Sequence, residues 1–236
     1  MTSPNTLSLD KARFNMIEQQ VRPWEVLDAA VLALLDSVPR DAFVPAAHQA
    51  LAYVDMELPL GHAADQVMLA PRVQARLVQD LAVQPTDKVL VIGTGSGFTT
   101  ALLAKLAQRV VSLEIDEAIA RAAREHLQAA GIANADVRVA DAAANGFAAC
   151  AAEAPWDAIL VAGSVAEVPQ ALLALLALLA SGCGGSEEAA SEALAEQALE
   201  GLVRAGAYRA TEAMHCRVAV ADILSDADGR IDQLLH

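Results

Sequence analysis

Apolar and polar positions along the chain change period several times, and each change marks an element. From Asp10 to Val21 the residues Ala12, Met16 and Ile17 recur at helical spacing, and Arg22-Pro23 is expected to end the segment. Residues 1–9 are polar and expected to be loose. Helical spacing returns over Asp28–Leu35, ahead of Pro39, and another turn or two is predicted over Ala46–Ala52. Val89-Leu90-Val91-Ile92 is an unbroken apolar run with three β-branched members, the pattern of a strand covered on both faces. An Ala- and Leu-rich helix then runs from Phe98 to about Gln108. A second strand follows over Val110–Asp116, an amphipathic helix over Asp116–Ala130 closed by Gly131, and strands over Asp136–Ala140 and Trp156–Val161. Farther on, the Ala-Leu run at 171–179 reads as helix core, Ser186–Leu199 as an acidic, solvated helix with Ser186 as its N-cap, and Cys216–Leu224 as strand-like. Strand and helix alternate at short spacing. The predicted fold is therefore α/β, a doubly wound, mostly parallel sheet with an N-terminal helical cap.

The first strand–helix junction carries the chemistry. Gly93-Thr94-Gly95-Ser96-Gly97 makes a tight turn in which backbone can approach a ligand, and Glu114 stands seventeen positions after Gly97 at the end of the second strand. A carboxylate there is placed to accept hydrogen bonds from ribose hydroxyls. The dinucleotide fingerprint G-x-G-x-x-G would need a third glycine where Phe98 stands, and no Gly-Lys-Ser/Thr follows, so a P-loop is excluded. Asp141 stands at the end of the third strand, where it can cap the helix that follows. Ala162-Gly163-Ser164 lies at the carboxyl end of the fourth strand, where ligands bind in such sheets.

Composition narrows the partners. Of the 236 residues 55% are hydrophobic but only 3% aromatic, so the core is aliphatic and large enough to fold alone. A net charge of −14 opposes a grip on nucleic-acid backbone or anionic lipid. Cys150, Cys183 and Cys216 are odd in number and widely spaced, which reads as reduced thiols with neither a disulfide framework nor a metal site. No signal pattern opens the chain, and the longest apolar run, Val168–Ala180, is shorter than the ~20 residues that span a bilayer. A soluble, cytoplasmic monomer is expected.

The G-x-G-x-G turn with its acid resembles motifs I and II of the class I S-adenosylmethionine (SAM) methyltransferases. Three upstream landmarks sharpen the likeness: Met16-Ile17-Glu18-Gln19-Gln20-Val21-Arg22-Pro23-Trp24, then Val38-Pro39-Arg40 with Phe43-Val44-Pro45, then Leu58-Pro59-Leu60-Gly61-His62. In this order they resemble the protein-L-isoaspartate O-methyltransferase family, in a bacterial branch marked by Arg-Pro-Trp. The likeness covers about residues 10–180 and, more faintly, 206–224. It implies a cap and a substrate and cofactor loop over 1–75, and a SAM-binding domain over 76–236 whose part 181–236 diverges. It implies SAM as methyl donor, held by Gly93, Thr94, Gly95, Ser96, Gly97, Glu114, Ile115, Asp141 and Ala142, with Asp141 near the adenine amino group. The implied reaction methylates the α-carboxylate of L-isoaspartyl residues in damaged proteins, and the ester closes to a succinimide that reopens partly to aspartate. A carboxylate is already ionised at neutral pH, so no general base, nucleophile set or metal is expected.

The chain departs from the family at three places. Family members carry Thr-Ile-Ser-Gln before the proline, with a hydroxyl at the substrate carboxylate. Here Val67 and Leu69 hold those positions, and no hydroxyl stands between Gly61 and Pro71. Val91 replaces the acid usual two residues before the first glycine, and Ser186–Leu199 reads as helix where the family has a core strand. Three readings follow: an active isoaspartyl methyltransferase, a SAM methyltransferase with another acceptor, or a SAM-binding paralogue without turnover. His62 reads as a loop histidine, Ser164 as turn chemistry, and Trp24 and Phe43 as cap packing.

Overall fold

The computed structural model describes residues 4–64, 66–142, 149–162 and 217–220. The cap opens with helix α1, Pro4–Met16. Residues 4–9 are therefore helical and not loose. Proline suits a first helical turn, where its missing N–H leaves no bond unmade, and Leu9 packs against the core. Nor does the helical run stop at Arg22-Pro23. It widens through Ile17–Val21, tightens into a 3-10 turn at Arg22–Trp24 that accommodates Pro23, and ends where Glu25 turns left-handed at φ 60°. Helix α2, Ala29–Ser37, begins at Asp28, whose Oδ1 accepts from the Ala30 and Val31 N–H groups at 2.7 and 3.1 Å. Two 3-10 turns follow, Arg40–Phe43 and Ala46–Leu51.

A short antiparallel hairpin, β1 (Leu58–Pro59) and β2 (Val67–Met68), leads into helix α3, Pro71–Leu81. The sequence reading left out α3, although Pro71 opens it and Ala75, Val78 and Leu81 bury one face at helical spacing. The sheet comprises β3 (Lys88–Ile92), β4 (Arg109–Glu114), β5 (Ala135–Val139), β6 (Ala158–Val161) and β7 (Arg217–Val220). They stand in the order β5-β4-β3-β6-β7, every pair parallel. Helices α4 (Phe98–Leu106) and α5 (Glu117–Ala129) connect β3 to β4 and β4 to β5. The predicted elements of this region thus stand within two residues of their expected ends. The expected helix over 186–199, the run at 171–179, Ser164, and all of 206–224 except 217–220 lie outside the described residues.

Strand alternation divides the core. Val89, Val91, Val110, Val137 and Leu160 face one apolar cluster, which the cap, α3, α4 and α5 complete. Leu90, Val111, Leu113, Ile159 and Val161 face the other, with Trp156 and Cys150. The order of the sheet places β3 beside both β4 and β6, so the chain order reverses at β3. A crevice opens there, at the carboxyl ends of the strands.

Candidate active site

The glycine turn is fastened from beneath. Gly93 and Thr94 N–H both donate to Leu113 O, at 2.9 and 3.1 Å, so β4 fixes the path of chain as it leaves β3. Thr94 Oγ1 lies 2.6 Å from Ser112 Oγ, which is 3.2 Å from Thr100 Oγ1, a buried hydroxyl trio joining turn, strand and helix. Gly95 and Gly97 are left-handed, at φ 54° and 86°. A Cβ on Gly97 would also meet Ala123 O at 3.3 Å, so this glycine lets α4 approach α5.

Glu114 closes β4, 7% exposed. Its Oε2 accepts from Gly95 N–H at 2.8 Å and its Oε1 from Asp116 N–H at 3.2 Å. The carboxylate therefore holds the glycine turn while still presenting lone pairs to the crevice. Asp116 caps α5 through Oδ1, which accepts from Ala118 and Ile119 N–H, and its Oδ2 accepts from Gln66 Nε2 at 3.0 Å. The Ile119 N–H, helped by Ala118 and Gln66, holds this carboxyl below the ordinary aspartate range against some desolvation.

These parts line a cleft of about 440 Å³. Gly93, Thr94, Gly95 and Ser96 form its floor; Glu114, Ile115, Asp141 and Ala142 form one end. Gly97 does not line it and acts in packing. Ile115 is 68% exposed, an apolar side chain lying open beside the carboxylate. The opposite wall is the hairpin, with Leu60, Gln66, Val67 and Leu69. Among the lining residues that sequence reasoning does not single out are Gln66, Gln74 and Thr99: no motif marks a glutamine in a loop or helix, or a threonine in a helix. Among the described residues of the lining, Glu57, Glu114 and Asp141 are acidic and none is basic. Val91 lies behind this surface, fully buried in the apolar cluster, where an acid would have no partner among those neighbours. His62 is exposed and away from the lining.

Behind the wall sits Arg40, with no exposed surface. Its Nε donates to Ala52 O and its Nη2 to Leu69 O, both at 2.8 Å, while Nη1 donates to Gln74 Oε1. Burial pushes its pKa down to about 9, with Asp55 and then Tyr53 pulling it up, so it stays charged at neutral pH. The Phe98 ring lies 5.3 Å from the guanidinium, and Phe43 packs edge-on against both Phe98 and His126. Trp24 packs under the Arg72 guanidinium at 4.0 Å. Both aromatics thus take the expected packing roles.

The cleft fits a nucleoside with a cationic tail: a backbone cradle at Gly95, a buried acid bonded to the turn, an apolar shelf at Ile115, and a lining with three acids and, among the described residues, no base. Fold and site together define a class I SAM-dependent methyltransferase. A Plasmodium falciparum chain solved as a protein-L-isoaspartate O-methyltransferase with S-adenosyl-L-homocysteine superposes with TM-score 0.56 at 20% identity, covering 71% of this chain and 78% of that one. The Picosynechococcus protein-L-isoaspartate O-methyltransferase is 40% identical over 166 residues, 70% of this chain and 72% of its own. That of Methanoculleus marisnigri is 40% identical over 163 residues, 69% and 71% of the two chains. Residues 12–182 match the family described as protein-L-isoaspartate(D-aspartate) O-methyltransferase, and the chain belongs to that family.

Proposed function

We propose that the protein repairs damaged proteins by SAM-dependent methylation of L-isoaspartyl carboxylates, working as a cytoplasmic monomer without nucleic-acid or membrane partners. The observation that carries this reading is the cleft itself, which joins the glycine turn and Glu114 to the hairpin wall of the family's acceptor loop. SAM held there would supply a methyl group from its sulfonium to a carboxylate oxygen, the electron pair of the broken bond staying on sulfur. Glu114 would hold the ribose hydroxyls, Ile115 and Ala142 would cover the base, and Asp141 would accept from its amino group. Gly93–Ser96 present backbone to the amino-acid tail, while Gly97 keeps the turn in place. The acids of the cleft favour the cationic donor over its neutral product, which helps exchange. No proton has to be moved, so these side chains serve by position and by excluding water.

In this reading residues 1–75 serve as cap and acceptor loop, residues 76–236 carry the donor, and Arg22-Pro23-Trp24 marks a bacterial branch. The net charge of −14 supports the absence of nucleic-acid and lipid partners. Among the described residues no helix is long and apolar enough to cross a membrane. One observation favours a second reading: Val67 and Leu69 line the cleft where the family has hydroxyls, which suits a methyltransferase with another acceptor. Methyl transfer from labelled SAM to an isoaspartyl peptide, against the matching aspartyl peptide, tests the choice. Selective labelling of the isoaspartyl peptide is expected. Cofactor binding without labelling would reject repair in favour of another acceptor.

A further inference from the structure

The acceptor wall has lost its family hydroxyl, yet a hydroxyl faces the same cleft from the helix opposite. Thr99 lies in the first turn of α4, 5% exposed, and lines the cleft with Leu69 and Gln74. The direction of its proton follows from its neighbours. Arg40 has only donors, so the Gln74 amide must turn its oxygen toward the guanidinium, and it does. That leaves Nε2, a donor only, aimed at Thr99 Oγ1 at 2.8 Å. Thr99 Oγ1 must accept there, and its own O–H is free to donate elsewhere. Among the described residues no other hydrogen bond of Thr99 Oγ1 is found. Arg40 also donates to Leu69 O, so the same guanidinium fixes the wall position that lost its side-chain hydroxyl.

We infer that Thr99 supplies the hydrogen bond that orients the acceptor carboxylate, taking over from the hydroxyl absent at Leu69, with Arg40 and Gln74 as the positioning residues that aim it. The inference rests on the proposed carboxyl methylation. One acceptor oxygen takes the Thr99 proton as a hydrogen bond without removing it, and the other is left with its lone pair directed at the methyl group. Relay and target are distinct: Thr99 touches the acceptor, whereas Arg40 is too deeply buried to do so.

The test uses Thr99→Val, which keeps shape and removes the donor, in steady-state methylation of an isoaspartyl peptide. Peptide affinity is measured separately by fluorescence anisotropy with S-adenosyl-L-homocysteine present. Expected are a rise of about tenfold in peptide KM and in the anisotropy Kd, the scale of a lost charge-assisted bond. S-adenosyl-L-homocysteine affinity is expected to stay within about twofold, and Thr99→Ser to behave as wild type. Leu69→Ser added to Thr99→Val is expected to restore peptide binding. If the valine variant does not fold, Thr99→Cys, a weak donor of serine size, reads the same loss. Unchanged peptide affinity, or equal losses for peptide and S-adenosyl-L-homocysteine, overturns the assignment. A wild-type protein that binds S-adenosyl-L-homocysteine but ignores the isoaspartyl peptide overturns repair as well. The two failures are therefore read in different samples.

Discussion

Replacing Arg40 with methionine removes one buried cation and orphans three oxygens at once. Ala52 O, Leu69 O and Gln74 Oε1 each receive one of its N–H groups, and the guanidinium has no exposed surface to lend water in its place. An unsatisfied buried acceptor costs about 1–3 kcal/mol, so the gross loss is about 3–9 kcal/mol. Relief from guanidinium desolvation, several kcal/mol for a buried ion, offsets part of this and leaves a net of about 3–5 kcal/mol. For a chain of this size that corresponds to a fall in Tm of roughly 6–20 °C. Urea titration followed by circular dichroism, with thermal melts alongside, measures it. Arg40→Lys should lose almost as much, because one ammonium cannot reach donors to three separate segments. A loss under about 1 kcal/mol for the methionine variant would refute the argument, since water would then be satisfying all three oxygens.

Three further outcomes follow from other contacts. Burial, and then the hydrogen bond and charge of Asp41, push Tyr53 up to about 12, so it stays neutral in the folded protein while an unfolded tyrosine ionises near 10. Its contribution is complete below pH 10 and is lost as pH rises to 12; wild type should lose about 2–3 kcal/mol relative to Tyr53→Phe over that window, read by urea midpoints. Glu114→Gln replaces one acceptor of the pair facing Gly95 and Asp116 N–H, and calorimetry should find S-adenosyl-L-homocysteine bound at least about tenfold more weakly. Gly97→Ala combines a left-handed φ with a tight contact, 3.3 Å, to Ala123 O, whereas a Cβ on Gly131 meets open space. The first should cost well over about 2 kcal/mol and the second about 1 kcal/mol in thermal melts.

The donor half of the cleft was legible in the sequence because backbone geometry dictates its residues. Glycines mark a turn that needs left-handed φ, and an acid at the end of the next strand falls where parallel pairing brings it. β3 pairs with β4 in the register that sets Ile92 opposite Leu113, so Glu114 arrives beside Gly95 without further instruction. The acceptor half follows no such periodic rule. Gln74 and Thr99 belong to different helices, and only tertiary packing around Arg40 aligns them. Arg40 itself, inside the Val38-Pro39-Arg40 turn, reads as an exposed arginine; its burial comes from three carbonyl-type oxygens supplied by Ala52, Leu69 and Gln74. Residues 1–9 and Pro23 misled for the opposite reason. Residues 1–9 read as loose for their polarity and Pro23 as a stop, but proline fits the first turn of a helix and a tight 3-10 turn equally well.

The two walls of the cleft differ in how much of the fold must open to release them. The glycine turn leaves β3 of a five-stranded parallel sheet, and its Gly93 and Thr94 N–H groups are bonded to Leu113 O of β4, so freeing them requires the sheet edge of the turn to open. The hairpin is tied back by the Leu60 N–H to Gln66 O bond, by Gln66 to Asp116 and by Arg40 to Leu69. Asp116 thus serves the α5 cap through Oδ1 and the hairpin loop through Oδ2, so the loop contact can be lost while the cap is kept. The hairpin side is expected to open at lower free energy than the sheet, and native-state hydrogen exchange that finds Leu60 N–H less protected than Gly93 and Thr94 N–H checks it.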